Sequence, residues 1–294
     1  MPRVFSIMVV KNEVDVLREC VLSAAEWSHS IHVLDNGSTD GSWEELQQLS
    51  GEIPNVEVVG RDPARFSDAV RARIFGAARS EARPGDWWWR LDADEFPEDP
   101  RPLLAEVPSR FDTVHASYFQ YYLTASDVAE RARDPETWDR RPVTERLRWY
   151  RNDHAARRAV RHLRWMRWRD TMWPEGVASV FPERARLRHY KYRSPAQIET
   201  RLRIRMEVAE TFPHEQQGLD IFEEAPPGSP IWRQRLARTD MLDYDDGTTG
   251  LTERPELLPG LPSPPGALRH VVDRALVISG GWQATRKLRR PGGA

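Results

Sequence analysis

Over the first hundred residues, short apolar runs alternate with segments of helical period, and most of the runs end in a polar cluster. Val4–Val10 reads as a buried strand, and residues 12–25 carry apolar side chains at Val14, Leu17, Val21, Leu22 and Ala25, which is the spacing of one helix face. Residues 31–34 form a second strand ending in Asp35-Asn36-Gly37-Ser38-Thr39-Asp40-Gly41, nearly all turn-forming residues. A helix with Ser42 as its cap follows, then a strand at 56–59, a helix at 66–79 and a strand at 86–91 that runs into Asp92-Ala93-Asp94-Glu95. Such alternation predicts a doubly wound, mostly parallel α/β sheet with right-handed crossovers. Ligands in these sheets bind beyond the carboxyl ends of the strands, where Asn12-Glu13, Asp35–Asp40 and Asp92–Glu95 fall.

Past Pro97 the pattern loosens. Residues 113–124, 146–151 and 185–190 read as strands, and 197–211 as a charged helix. From Ala225 the chain becomes rich in Pro and Gly, with one further helix predicted at 267–277. The expected division is one domain over 1–215, with a nucleotide-binding half at 1–97 and an acceptor-side half at 98–215, and an extension over 216–294.

Composition excludes several classes. The 43 basic and 45 acidic residues leave a net charge of −2, which argues against a general nucleic-acid binder. Cys20 is the only cysteine, so neither a disulfide framework nor a cysteine-based zinc site can form. No run approaches the roughly 20 apolar residues of a membrane span, and the opening lacks the apolar core of a signal peptide. The expectation is a cytoplasmic protein.

Asp92 and Asp94 occupy alternate positions at a strand end and so aim into one region, a donor pair suited to a hard divalent cation that keeps waters and binds substrate phosphates. The competing reading is a turn whose Asp residues cap the next segment; an aspartyl phosphatase would place the pair after the first strand instead. Asp35 can accept a hydrogen bond from a base N–H or a sugar hydroxyl, whereas the neighbouring Asn36, Gly37 and Gly41 suit a tight turn. Trp87, Trp88 and Trp89 read as core. Residues 157–169 hold six arginines and two tryptophans, which fits contact with an anionic acceptor or a membrane surface, or an amphipathic element whose Arg stems cover apolar surface.

Together FSIMVVKNEVDVLRECV, IHVLDNGSTDGSWEEL, DAVRARIFGAAR and WWWRLDADEF resemble a family 2 glycosyltransferase of the GT-A fold, strongly from Arg3 to about Pro97 and more loosely from Arg146 to Thr211. The resemblance implies a nucleotide-sugar donor, a UDP-sugar above others, and a divalent cation, Mn²⁺ or Mg²⁺, on its diphosphate. It puts Asn12 and Glu13 beside the nucleoside, Asp35 at the base and Arg73 at the arginine of an A-R-N-x-G helix in which Ile74 replaces the Asn. It also makes Asp92 a ribose or metal contact and Asp94 the principal metal ligand. LRHYKYRS resembles the family's H-Y-x-x-R-S segment, which makes His189 a further metal or diphosphate contact with Lys191 and Arg193 beside the phosphates.

An inverting transferase needs a carboxylate to take the acceptor hydroxyl's proton. Asp170 and Glu175 in RDTMWPEG fit the expected order, Glu175 first because Pro174 and Gly176 fix its loop, with Trp173 able to stack on a sugar. The expected acceptor is a hydroxyl compound, an anionic or lipid-linked one included, with residues 157–169 as a candidate peripheral contact with the inner face of a membrane. The alternatives are a nucleotidyltransferase, disfavoured because Val9-Val10-Lys11-Asn12 lacks a glycine-rich basic loop, and a non-catalytic sugar- or nucleotide-binding scaffold.

Overall fold

The computed structural model describes residues 1–64, 66–194, 196–198, 200–201 and 252–253. The chain divides into two compact units by internal contacts. The described part of the first is Met1–Ser117 with His154–Leu187; that of the second is Tyr118–Asp153 with residues from 188 onward. The predicted helix at 267–277 and nearly all of the 216–294 extension lie outside the described residues, as does most of the helix at 197–211.

In the first unit, β1 (Val4–Val10), β2 (Ser30–Asp35), β3 (Val56–Arg61) and β4 (Trp87–Leu91) are joined by α1 (Val14–Ala25), α2 (Ser42–Glu52) and α3 (Ala69–Ala78). These four strands are parallel in the order β3-β2-β1-β4. Beyond them come β5 (Glu95–Pro97), α4 (Arg101–Glu106) and the strands β6 (Thr113–Tyr121), β7 (Trp149–Arg161) and β8 (Val180–His189). β7 runs antiparallel to β4, with Trp87 opposite Arg161 and Trp89 opposite Ala159. This is the mixed α/β architecture of the GT-A fold, with the parallel half where the alternating pattern placed it.

Three local expectations are corrected. The first helix starts at Val14, not at residue 12, because Asn12 has φ of 57° and cannot continue a right-handed turn. Ser42 does not cap α2: it is the first helical residue, Gly41 precedes it with φ of 102°, and the Asp40 carboxylate accepts from Ser42 N and Oγ. Residues 146–151 are not one strand. Val143–Arg146 is a short helix, and the strand begins at Trp149 and continues into the arginine-rich segment. Sequence polarity hid that continuation, since arginines enter a sheet interior only when carboxylates and carbonyls across the fold receive them.

The core of this unit packs α3 on the sheet through Phe5, Ile7, Leu34, Val70, Ile74, Phe75 and Trp88. Trp87, Trp88 and Trp89 are all at most 1% exposed, so the tryptophan run is strand core. Trp88 lies edge-on to Phe75 at 4.8 Å and donates from Nε1 to His162 Nδ1 at 3.0 Å. Aromatic edges and one satisfied N–H make this a dense, specific layer.

In the second unit, α5 (Ala125–Arg133), α6 (Pro135–Arg140) and α7 (Val143–Arg146) follow β6, and β9 (Thr252–Glu253) pairs with the start of β7. Tyr121 stacks on Tyr190 at 4.5 Å. A capping box starts α5: Thr124 Oγ1 accepts from Asp127 N, and Asp127 Oδ2 accepts from Thr124 N, each at 2.8 Å. Burial pushes the Asp127 carboxyl up to about 6, against the pull of the Thr124 backbone N–H and side chain. The folded value thus lies above the unfolded one, so Asp127 contributes stability fully present below about pH 4 and lost as pH rises through 6, about 2–3 kcal/mol in all. Urea unfolding at pH 4.5 and 7.5 should give Asp127→Asn a clearly larger gain over the parent at the higher pH; an equal difference at both would refute this.

Candidate active site

Two loops at the carboxyl ends of β1 and β2 are stitched together. Asn12 Oδ1 accepts from Thr39 N at 2.8 Å, Asn12 N donates to Ser38 Oγ, and Glu13 N donates to Ser42 Oγ. Asparagine suits the left-handed conformation of residue 12. Asp35 is fully buried, and its carboxylate accepts from Gly37 N and Ser38 N and faces Arg61 Nε at 3.1 Å. The turn therefore depends on Asp35 more than the sequence suggested: the side chain organises the backbone that its neighbours make bendable. Gly37 has φ of 75°, and a Cβ there would meet Pro63 Cα at 2.8 Å, so only glycine fits. Arg73 is exposed on α3 and pairs with Asp62, whose N–H donates to Asp35 O.

Asp92, Asp94 and Glu95 lie at the end of β4. Asp94 is 3% exposed, whereas about a third of the Asp92 side chain reaches solvent. Three guanidiniums converge on Asp92: Arg90 at 3.3 Å, Arg158 at 3.2 Å and Arg71 at 4.0 Å. Arg158 also pairs with Glu95, and Glu95 Oε2 accepts from Asp92 N. Burial pushes the Asp92 carboxyl up, but Arg90, Arg158 and Arg71 outweigh it and hold the group well below the usual carboxylate range. Burial drives Glu95 well above its ordinary value, with Arg158 opposing. Asp92 is therefore ionised at any physiological pH. Beneath this turn Cys20 Sγ donates to Glu95 O at 3.3 Å, so the lone cysteine props the acidic segment from α1.

The loop carrying Trp173 stands beside this cluster. The Trp173 ring has Arg90 at 5.4 Å and Arg157 at 5.5 Å from its centroid, and Trp168 stacks on it at 6.3 Å. Glu175 N donates to Arg167 O at 2.7 Å, and its carboxylate, about a third exposed, lies 3.9 Å from Arg169 Nε. Asp170 Oδ1 accepts from Ala69 N at the start of α3 at 2.9 Å, so this acid caps a helix. A cavity of about 330 Å³ opens on the loop, lined by His115, Arg157, Thr171, Met172, Trp173 and Pro174 among others.

Asp35 closes β2 and Asp92 and Asp94 follow β4, with β1 between the two strands. The family model for glycosyl transferase family 2 matches residues 6–166, more than half of the chain. The chain belongs to glycosyl transferase family 2. A search of curated sequences returns no match. Among solved structures, Pyrobaculum calidifontis mannosyltransferase PcManGT, in complex with GDP-Man and Mn²⁺, shares 15% identity over 99% of this chain and 81% of its own, with a TM-score of 0.38. Residues 1–349 of S. aureus TarS share 14% identity over 40% of this chain, which spans only 35% of that structure, with a TM-score of 0.30.

The family likeness puts His189, Lys191 and Arg193 beside the phosphates; all three lie in the second unit. The His189 ring packs edge-on to Tyr118 at 5.5 Å, and its carbonyl accepts from Gln120 Nε2. Lys191 Nζ sits 5.0 Å from the Tyr192 ring centroid, and the fully buried Arg193 donates from Nη1 to Tyr190 O at 2.9 Å. Sequence reasoning missed Arg71, Arg90 and Arg158. For Arg71 a signal existed: residues 71, 74, 75 and 78 form one helical stripe that is buried, so an arginine opening it must face inward. Arg73 points about 200° away around the same helix. The arginines of residues 157–169 also divide. Arg158 turns in to Glu95 and Arg161 donates to Val107 O and Phe111 O, while Arg164, Arg167 and Arg169 are exposed. Among the described residues no helix is long and apolar enough to cross a membrane.

Proposed function

We propose that this transferase moves a sugar from a nucleotide-sugar donor to an acceptor hydroxyl by direct, inverting displacement, with a divalent cation on the donor's diphosphate. The observation that carries the reading is the β4 terminus, where Asp92 and Glu95 face Arg71, Arg90 and Arg158 and the buried Asp94 lies between them in the chain. The donor set fits Mn²⁺ or Mg²⁺, since carboxylate oxygens are the ligands that hard cations take and the arginines keep Asp92 ionised. Asp94 would be the principal ligand. Asp92, whose Oδ2 already accepts from Arg90 and Arg158, would hold the ribose or complete the ion's shell. When bound, the cation supplies charge neutralisation to the departing nucleoside diphosphate.

The protein's own residues would do the rest. Asp35 would offer its carboxylate to an imide N–H such as that of uracil, which supports a UDP-sugar, with guanine presenting a comparable edge; either base would share a carboxylate that Gly37 N, Ser38 N and Arg61 already hold. Asn12, Glu13 and Arg73 would border the nucleoside. The Arg71, Arg90 and Arg158 guanidiniums would add fixed positive charge near the leaving group without reorganisation. Trp173 would stack on the acceptor, and Arg157 and His115 at the same cavity favour an acceptor with an anionic group. Glu175 would take the hydroxyl proton, because Asp170 is already engaged with the start of α3.

The test is thermal unfolding with a panel of nucleoside diphosphates and nucleotide sugars, each with and without Mn²⁺ or Mg²⁺. One base should stabilise the fold in a metal-dependent way, by about 2.7 kcal/mol at a hundredfold excess over Kd. Stabilisation independent of metal would remove the cation from the reading, and none by any nucleotide would sink the donor site as drawn.

A further inference from the structure

A second cluster of potential ligands lies away from the β4 terminus and has no part in the reaction above. His32 is buried in β2, directly opposite Glu57 across the parallel β2·β3 pair, with its Nδ1 3.4 Å from Glu57 Oε2. Glu81, in the 3-10 turn Arg79–Glu81 that follows α3, brings a second carboxylate, and the three donor atoms lie within 4.8 Å of one another. Among the described residues this is the one His/Cys/Asp/Glu group so tightly gathered. His32 precedes Asp35 by three residues, about 10 Å along the strand, and so sits toward the opposite edge of the sheet from the nucleotide loops.

We propose that His32, Glu57 and Glu81 form a site for a divalent first-row transition ion, zinc above others, that ties the edge strand β3 and the turn after α3 to β2. One imidazole and two carboxylates are a donor set that zinc takes, with a position left for water. The imidazole is oriented for it: Ser30 Oγ lies 2.9 Å from His32 Nε2, and an Nε2–H bonded there leaves the Nδ1 lone pair facing the two carboxylates. Burial lowers the proton affinity of His32, against the pull of Glu57 and Glu81, with His29 adding to the lowering. A proton on His32 is thus a poor counterion for two glutamates, and a dication is a good one. The remaining charge nearby is Arg3, which donates to Glu81 O and Asp86 and lies 3.4 Å from His29 Nε2. β3 gains from such a tie, because it is an edge strand of the sheet.

The test is calorimetric titration of untagged, EDTA-treated protein with Zn²⁺ in the absence of nucleotide, with Co²⁺ visible absorption as a second readout. The parent and Asp94→Asn should bind one ion alike. Glu57→Gln/Glu81→Gln, changed only at exposed positions, should lose affinity by about a hundredfold or more, and Ser30→Ala by about 10–100-fold. The melting temperature in EDTA should be unchanged in the double variant, which separates lost ligation from lost folding. No uptake by the parent overturns the proposal, as does uptake by the double variant at parental affinity. Loss of uptake in Asp94→Asn would overturn it too, by placing the ion at β4. Donor binding plays no part in any of these arms.

Discussion

Asp94→Asn is expected to lower the rate of sugar transfer by about a thousandfold or more while leaving the melting temperature within a few degrees of the parent. A cation at a leaving diphosphate is worth several kcal/mol of transition-state stabilisation, and about 4 kcal/mol is a thousandfold in rate. Asn keeps the size of Asp94 and one oxygen but removes the charge, so the acidic turn over Cys20 survives. The same variant should lose the metal-dependent part of nucleotide stabilisation and keep any metal-independent part. Turnover above a tenth of the parental rate at saturating Mn²⁺ would show that Asp94 is not the ion's principal ligand.

Arg158→Met should cost about 3–5 kcal/mol of folding stability, the largest effect expected of any single substitution in this cluster. Arg158 is 4% exposed and serves Glu95 and Asp92 together, so its removal strands a buried carboxylate. Glu95 is already driven upward by burial, and removing Arg158 takes away the charge that opposes that rise. Its folded value, already above the unfolded one, would then lie higher still. The penalty should therefore be smallest at low pH and grow as pH rises through that folded value. Glu95→Gln in the same chain should recover much of the loss, since an amide can remain in place without a counterion. Urea unfolding of the parent, the single variant and the double variant at pH 5 and 8 measures all of this. A single variant within 1 kcal/mol of the parent at pH 8 would contradict the buried pairing.

The sequence by itself determined the parallel half of the sheet, because apolar runs and helical stripes there need no partner to be recognised. It also determined where the polar clusters fall, since every parallel strand of such a sheet presents its carboxyl end to one edge. The tryptophan run was legible as core for the same reason: a strand buried on both faces is continuously apolar. Gly37 and Gly41 announced a turn, but the sequence could not reveal that Asp35 holds it, since that depends on two backbone N–H groups and Arg61 from the next strand.

Only the tertiary structure decided the fate of the arginines. Arg71 from α3, Arg90 from β4 and Arg158 from β7 meet at Asp92 because β7 lies antiparallel beside β4 and α3 packs over both. Nothing local distinguishes Arg158, paired inside the fold with Asp92 and Glu95, from Arg157 and Arg164 in the same basic run. Whether an arginine is a solvated surface charge or an internal counterion is set by what lies across from it, and strand pairing between distant segments is a property that no sequence window contains.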